Sequence, residues 1–393
     1  MEAKEKLWNS NYKKVMAVNF CLFFSFYLIT PLLPLYLSET FRSTKDTIGF
    51  VLSGYILLAL AARPFSGYIA DTFNRKKVLL VCVLVNFLMF GSYLAASSLL
   101  LFTIVRTLHG APFGACTVAN STMAIDVLPS SRRTEGIGLY GLSNNLGSAF
   151  APTIGILIYK YTNNFQLLFW LAFAVAALGL WAAGSIKAPV KEQIPDKKKL
   201  SWDRFFLLQG WAIAANMLMF GYCYGVLSSY LAIYGKEKLG ITSGTGTYFM
   251  LLAIGLMASR IQGARALRKG RLIGNALEGI LISTVGYTIF IAWPSMIGYY
   301  GSAILIGLGN GHIWPAFQNM IINLAENNRR ATANSTLLTS WDLGMGLGIL
   351  LGGVFSENFG YSTAFWSSVG FHLAGVATFI WITRKHYLKN ALR

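Results

Sequence analysis

The sequence predicts an all-α integral membrane protein whose twelve transmembrane helices form two pseudo-symmetric six-helix bundles. Three observations predict this fold class: an apolar composition, a succession of long apolar stretches, and an internal repeat of half the chain length. Hydrophobic residues make up 55% of the 393 residues, charged residues only 12%, and the mean hydropathy is +0.53. Soluble domains carry about 25% charged residues, so we expect this chain to have lipid as its solvent.

Apolar stretches long enough to cross a bilayer follow one another from Val15 to Thr383. A membrane-spanning helix needs roughly 20 mostly apolar residues. The predicted spans are 15–37, 47–66, 78–97, 99–126, 135–158, 165–186, 204–233, 243–264, 273–292, 298–323, 331–356 and 362–383. Because their number is even, both termini are expected on one side of the membrane.

The basic residues predict which side that is. The net charge is +18, but the 33 Lys and Arg separate the apolar stretches instead of forming one basic face, so no nucleic-acid partner is expected. Twenty-five of them fall on the side of the termini, five on the other side, and Arg63, Arg106 and Arg260 lie within spans. By the positive-inside rule, the chain is predicted to be a multi-pass protein of the cell (inner) membrane with both termini cytoplasmic.

Several function classes are not expected. The four cysteines lie in apolar spans without metal-type spacing, so we expect neither disulfides nor a metal site, and no cofactor. The first apolar stretch is too long for a signal-peptide core and is expected to remain in the protein. No phosphate-binding loop for ATP and no hydrolase motif occurs in the sequence, which argues against a primary pump and against an enzyme.

An internal repeat divides the chain. An offset of 197 residues brings Gly110 onto Gly307 and Arg63 onto Arg260, and several other glycines coincide at the same offset. An even number of helices in each repeat gives both halves the same orientation in the membrane. We therefore predict an N-terminal six-helix bundle at 1–186, a basic cytoplasmic linker at 187–203 and a C-terminal six-helix bundle at 204–393.

The loop after the second span contains Gly67, Asp71, Arg75 and Lys76, with Asn74 before the basic pair. Together with two parallel six-helix halves and a basic linker, this loop resembles the signature G-x-x-x-D-x-x-G-R-K of the major facilitator superfamily. The resemblance implies a conformational latch made by these four residues. The alternative is that the basic residues only follow the positive-inside rule. The second half has Arg268 at the position of the acid, so a latch is expected in one half only.

The fourth span contains Arg106 and His109 in a run that resembles an arginine-containing motif of proton-coupled family members. A cation within hydrocarbon costs several kcal/mol unless it meets water or a partner, so Arg106 is predicted to be functional. It is assigned to proton coupling and to contact with an anionic substrate group, with His109 beside it in the proton-coupling set. The alternatives are an arginine that extends to the lipid headgroups and a histidine bonded to a neighbouring side chain.

The fifth span holds Gly147, Pro152 and Gly155 in a run similar to the signature that the family associates with antiporters. Ala151 and Ile156 stand where that signature has glycine. Small residues permit close helix packing and proline frees a carbonyl group, so these three residues are predicted to form a hinge. Plain helix packing is the competing interpretation.

Asp342 lies in the middle of the eleventh span, at the repeat position of Asn145. A carboxyl group in a low-dielectric environment can take up and release a proton during a transport cycle, so Asp342 is predicted to be the proton site. The alternative is a structural partner for Arg106 or a helix-end group. Glu278, nearer the cytoplasmic end of the ninth span, is interpreted as structural.

In the family architecture the solute site lies between the halves, lined mainly by the first and fourth helix of each half. Polar and aromatic residues in or next to such spans suit an amphipathic or partly aromatic solute. The predicted substrate-binding residues are Asn19, Tyr27, Arg106, Asn145, Asn216, Tyr222, Tyr224, Asn310, His312, Trp314, Gln318 and Trp341.

The leading hypothesis is a monomeric secondary transporter that resembles the drug:proton antiporter branch and exports small amphipathic or drug-like molecules by alternating access. Its expected partners are the small-molecule substrate, protons and membrane lipid. A second hypothesis is a proton-coupled uptake symporter for an organic anion or a sugar-like nutrient. A third is a membrane receptor that kept the fold but does not transport.

Overall fold

The computed structural model describes residues 6–187, 202–241 and 245–392, and these contain twelve long helices and no strand. Residues 188–201 of the predicted linker lie outside the described residues. The first six helices are α1 (Ser10–Phe41, with a 3-10 turn at Thr30–Leu32), α2 (Lys45–Thr72), α3 (Arg75–Ala95), α4 (Leu99–Val127), α5 (Arg133–Thr162) and α6 (Phe165–Gly184). The next six are α7 (Trp211–Leu239), α8 (Thr245–Arg268), α9 (Leu272–Ala292), α10 (Met296–Asn323), α11 (Arg330–Phe359) and α12 (Tyr361–Asn390).

The twelve-helix fold class is confirmed. Nine of the helices found in the described ranges are long and apolar enough to cross a membrane by length and composition. The other three, α5, α8 and α10, fall in predicted spans. Helices satisfy all interior backbone groups within the segment, which is why apolar stretches of this length take this form in lipid.

The repeat is visible at the start of corresponding helices. Ser98 precedes α4 and accepts a hydrogen bond from the N–H of Leu101 at 3.2 Å. Ser295 precedes α10 and accepts from the N–H of Gly298 at 3.0 Å. The two serines are 197 residues apart, and each satisfies an N–H group that the first turn of a helix leaves without a partner.

Close contacts between helices follow the same repeat. A Cβ at Gly110 would overlap the carbonyl oxygen of Tyr55, so α4 approaches the backbone of α2 directly. A Cβ at Gly307 would overlap the carbonyl oxygen of Leu252 in the same way, where α10 crosses α8. Gly307 and Leu252 lie 197 residues after Gly110 and Tyr55, so the sequence repeat corresponds to a repeat of helix packing.

The described residues form two compact units. The first comprises those of Met1–Gly136, Tyr140–Phe206 and Asn327–Ser335, and the second those of Ile137–Leu139, Leu207–Glu326 and Thr336–Arg393. The first turns of α11 therefore belong to the first unit, and a short piece of α5 belongs to the second. The predicted division at residues 186 and 204 stays a prediction.

Each unit has a buried aromatic core at equivalent places. In the first unit Tyr93 lies 5.3 Å from Phe102, measured between ring centroids. In the second unit Phe290 lies 5.8 Å from Tyr299. These pairs are again 197 residues apart, and each side chain is almost completely buried. Burying such rings contributes strongly to packing between helices because each removes a large apolar surface from the surroundings.

Alanine at Gly110 or at Gly307 is expected to destabilise the protein by about 1–3 kcal/mol, because the added methyl group would collide with a helix backbone. A Cβ placed at Gly301 in α10 would meet no atom within 4 Å, so Gly301→Ala is the matched control. Thermal unfolding of the purified variants in one detergent measures the effect. Equal melting temperatures for Gly110→Ala and the control would contradict the close approach of α2 and α4.

Candidate functional site

The predicted latch residue Asp71 binds the start of α11 within the first unit. Its Oδ1 accepts a hydrogen bond from the N–H of Ala331 at 3.0 Å, and its Oδ2 accepts from the N–H of Thr332 at 2.7 Å. The hydroxyl of Thr332 donates to the same Oδ2 at 2.9 Å. These are the second and third residues of α11, so Asp71 acts as an N-cap supplied from another helix and also meets the positive end of the helix dipole.

Arg75 connects Asp71 to a second acid that sequence reasoning missed. Its guanidinium donates to Asp71 Oδ1 at 2.7 Å and to both carboxylate oxygens of Asp126 at 2.9 and 2.7 Å. It also donates to the carbonyl oxygen of Asn327 at 3.1 Å. Arg330 adds a second cation, 3.7 Å from Asp126. The available signal was that Asp126 is the sole acid of its span and stands at the end nearest the loop motif.

The other two predicted latch residues contribute differently. A Cβ at Gly67 would lie 2.7 Å from the Cβ of Ser335, so this glycine allows the first turns of α11 to lie against α2. The hydroxyl of Ser335 donates to the carbonyl oxygen of Arg63 at 2.5 Å on the same face. Lys76 is half-buried at the start of α3 and makes no hydrogen bond or ion pair with the described residues.

In the second unit, an arginine of α8 contacts the short piece of α5 that belongs to that unit. The guanidinium of Arg260, the repeat partner of Arg63, donates to the carbonyl oxygen of Gly138 at 3.1 Å. A Cβ at Gly138 would lie 2.6 Å from the Cδ1 of Leu267. The equivalent residues of the first unit are Arg63 and Ser335, where the Ser335 hydroxyl donates to the carbonyl oxygen of Arg63, so the repeat keeps the position of this contact but changes the donating group.

Arg106 is buried among aromatic rings in the first unit, with 2% of its surface exposed. Its guanidinium carbon lies 4.2 Å from the ring centroid of Tyr55 and 5.2 Å from that of Phe26. The only hydrogen bond that it makes within the described residues is a long one of 3.4 Å to the hydroxyl of Tyr93. Arg106 thus does not extend to a lipid headgroup, and ring faces provide its electrostatic stabilisation.

His109 belongs to a chain of hydrogen bonds that begins at Arg106. The Tyr93 hydroxyl accepts from Arg106 and lies 3.0 Å from Nδ1 of His109, and it donates to that nitrogen because the other imidazole nitrogen carries the proton. Nε2 of His109 lies 3.0 Å from Oδ1 of Asn86, and because an amide oxygen only accepts, Nε2 carries the proton and donates to it. Both imidazole nitrogens are occupied, and Tyr93 and Asn86 are members of this network that the sequence did not identify.

Asn19, a predicted substrate-binding residue, is bonded within the protein. Its amide group donates to the hydroxyl of Ser143 at 2.9 Å and accepts from the hydroxyl of Tyr140 at 2.9 Å. Asn120 donates to Tyr140 at 2.9 Å and completes a buried network between α1, α4 and α5. Asn19 is 2% exposed, so in this structure it joins helices and presents no free polar group to a solute.

The other candidates of the first unit are less enclosed. Tyr27 is half-buried and stacks on Phe23, with ring centroids 6.3 Å apart. Asn145 is half-buried, and its Nδ2 is enclosed without a hydrogen-bond partner in the described part of the chain. An enclosed amide donor of this kind is costly, which makes Asn145 available to a ligand or a water molecule.

Asn216 and His312, two substrate-binding candidates of the second unit, are buried and bonded to neighbouring helices. Asn216 donates to the carbonyl oxygen of Gly375 at 3.0 Å, next to a π-helical turn in α12. Nδ1 of His312 donates to Oδ1 of Asn275 at 2.9 Å, and the amide of Asn275 donates to the carbonyl oxygen of His312. Their polar groups therefore hold helices together in this structure.

The remaining second-unit candidates include an aromatic group that contains Trp341, the residue before Asp342. Trp341 lies 5.2 Å from Trp314 and 5.6 Å from Tyr224 between ring centroids. Asp342 itself is half-buried. It stands twelve residues from the start of α11 and seventeen from its end. The other candidates are the half-buried Asn310, the buried Gln318, and the buried Tyr222, whose hydroxyl pairs with that of Ser367 at 2.7 Å.

The predicted hinge residues lie where α5 packs on α1. A Cβ at Gly155 would overlap the carbonyl oxygen of Leu28, and one at Gly147 would lie 3.0 Å from that of Phe20. Pro152 lies inside α5, which stays helical on both sides of it. This arrangement is tight packing of two helices, and the hinge role stays a prediction.

Comparisons with known proteins agree on one family. A profile of the Major Facilitator Superfamily matches residues 15–299 and 273–391. The staphylopine export protein of Staphylococcus aureus is 24% identical over 335 residues, which cover 81% of this chain and 83% of that protein. The maltose permease of Geobacillus stearothermophilus is 29% identical over 327 residues, covering 80% and 79%. The crystal structure of the human organic anion transporter MFSD10 has the same fold, with a TM-score of 0.82 at 15% identity, over 94% of this chain and 98% of that one.

Replacing Asp126 by Asn is expected to lower the free energy of unfolding by about 1–3 kcal/mol, because Arg75 loses one of its two carboxylate partners while it stays largely buried. Chemical or thermal unfolding in detergent measures this change. Glu39→Gln is the control, since Glu39 is an exposed acid with one hydrogen bond, from Tyr159. A loss no larger than that of the control would show that Asp126 does not support the cluster.

Proposed function

Because the chain belongs to the Major Facilitator Superfamily, we propose that it is a proton-coupled exporter of small amphipathic or drug-like molecules that works by alternating access. The observation that carries this proposal is a carboxyl group, Asp342, in the middle of a membrane-spanning helix. It is about 18 Å from the start of α11 at 1.5 Å per residue. An acid retained at such a depth is costly and is typical of proton relays in transporters.

The surroundings of Asp342 support the proposed substrate class. Trp341, the residue before Asp342, forms an aromatic group with Trp314 and Tyr224, and these rings can stack on a partly aromatic solute. All three are half-buried, so part of each ring remains accessible. A solute with an apolar body and a polar or cationic group would fit this combination of rings and one acid.

The direction of transport is supported by the relative that exports staphylopine, which matches over most of both chains. We further propose that the termini are cytoplasmic and that the protein resides in the cell (inner) membrane, since the basic residues collect on the side of the termini.

A second candidate is uptake of an organic anion or a sugar-like nutrient. It is favoured by Arg106, a buried cation that has no carboxylate partner in the described ranges, and whose Nε makes no hydrogen bond there. A substrate carboxylate would satisfy this guanidinium by a charge-assisted hydrogen bond. The maltose permease that matches this chain is named for a sugar, which also favours a sugar-like substrate.

We propose that Asp71, Arg75 and Gly67 work as a conformational latch. The latch is closed when Asp71 is bonded to the first turn of α11. The bonds of Asp71 to Ala331 and Thr332 are to groups that water can also satisfy. When water replaces the carboxylate as the acceptor of these N–H groups, the net change in free energy is small. Such a contact can therefore open and close during each transport cycle.

Asp342→Asn is expected to abolish solute accumulation driven by a proton gradient, because asparagine keeps the size of the side chain but cannot exchange a proton. The measurement uses vesicles with purified protein and ethidium, an amphipathic aromatic cation. An antiporter accumulates ethidium in vesicles that are acidic inside, whereas a symporter requires acid outside. Glu357→Gln, near the other end of α11, is the control. Gradient-driven accumulation by Asp342→Asn at the control rate would overturn the proposed coupling.

Asp71→Asn is expected to impair transport at least several-fold while leaving the yield of folded protein unchanged. Asparagine can still accept one helix N–H bond, but it loses the charge that attracts both Arg75 and the helix dipole. Transport rate and size-exclusion profile of the same preparation separate the two effects. Near-normal transport by this variant would remove the latch role.

A further inference from the structure

One face of α9 is left uncovered by the helices of the second unit. The opposite face packs on α10 and α12 through residues such as Gly279 and Ser283. The exposed face carries an ordered series of residues spaced three and four apart, which is the spacing of one helical face. In order from the start of the helix, these are Arg271, Gly274, Glu278, Leu281 and Val285.

These five residues are called the α9 stripe, and its apolar residues show what surrounds it. Leu281 is 47% exposed and Val285 is 51% exposed, on a helix apolar enough to cross a membrane. Exposed aliphatic side chains on the outer face of such a helix contact lipid acyl chains. The stripe therefore faces lipid at its apolar end and approaches the membrane surface at Arg271, on the side that carries the termini.

Glu278 is the unexplained member of this stripe. It is exposed, about 9 Å beyond the first residue of α9. It makes no hydrogen bond or ion pair with the residues that the structure describes. His312 of the neighbouring helix α10 is bonded to Asn275. A carboxylate at the edge of hydrocarbon requires a partner, and for this one the membrane is the available source.

A recess separates Glu278 from the cation on the same stripe. Gly274 is exposed, and a Cβ placed there would meet no atom within 4 Å. Arg271 is exposed and lies three residues before Gly274, immediately before the first residue of α9. The Cα positions of Arg271 and Glu278 are separated by about 10 Å along the axis, so two long side chains can reach one small group lying over the glycine.

We propose that this stripe is a binding site for an aminophospholipid headgroup. Arg271 would bind the phosphate group, Glu278 would accept hydrogen bonds from the primary ammonium group, and the acyl chains would lie along Leu281 and Val285. The pairing of one cation with one anion selects a zwitterionic headgroup. A lipid without an amine leaves Glu278 without a partner, and the trimethylated ammonium of phosphatidylcholine has no N–H to donate. The site is independent of the proposed transport mechanism.

The test compares lipids with identical acyl chains added to the purified full-length protein in detergent. Phosphatidylethanolamine is expected to raise the melting temperature by about 2–4 °C more than phosphatidylcholine does, because ligands that bind the folded state stabilise it. Glu278→Gln is expected to abolish this difference but to keep any stabilisation by phosphatidylglycerol, which needs only Arg271. Glu326→Gln, an exposed acid that follows α10, is the control and should behave like the original protein.

A second variant keeps both charges and fills the recess. The leucine side chain of Gly274→Leu would extend into open space, so the variant should fold normally. It is nevertheless expected to lose the preference for phosphatidylethanolamine. Native mass spectrometry of each variant counts the retained lipids directly. The proposal is overturned if Glu278→Gln keeps the full difference between the two lipids, if Gly274→Leu keeps it, or if the original protein does not distinguish them.

Discussion

The structure depends on one constraint: hydrocarbon offers no hydrogen bonds, so every polar group within the membrane must find its partner in the protein, in the lipid headgroups or in a cavity that holds water or a ligand. Helices satisfy the backbone, and the twelve helices follow from that requirement. The side chains obey it in different ways. Arg106 lies against two aromatic rings, Asn19 is bonded on both sides of its amide, and Asp71 is satisfied by backbone N–H groups.

The cluster around Arg75 shows how the constraint links helices that are far apart in sequence. Two carboxylates, Asp71 and Asp126, surround one guanidinium, and the start of α11 supplies the remaining donors. Because a helix start carries a partial positive charge, it adds to the stabilisation that the cations Arg75 and Arg330 give these carboxylates, without the entropy cost of a further long side chain. This explains why an acid and a helix N-terminus, two simple features, hold the first turns of α11 in the first unit.

The repeat is retained in packing but not in chemistry. Gly110 and Gly307 make equivalent contacts with the neighbouring helix, whereas the equivalent asparagines Asn19 and Asn216 bind different helices. Asn145 in one half corresponds to Asp342 in the other. Helix contacts constrain the size of a residue, while a proton site or a solute site requires a particular functional group at one place. Two halves with the same packing can thus take different roles in one transport cycle.

The sequence by itself determined the twelve helices and the place of Asp71 and Arg75 in one loop motif, because hydropathy and motif spacing are properties of nearby residues. It also determined the offset of the repeat, which a comparison of the two halves of the chain shows directly. Only the tertiary structure decided the partners of Asp71 and Arg75. Asp126 is 51 residues from Arg75, and Thr332 is 261 residues from Asp71. It also decided that Asn19 and His312 are bonded to other helices in this structure and that Glu278 is exposed, since which face of an apolar helix meets a neighbour depends on packing between distant segments.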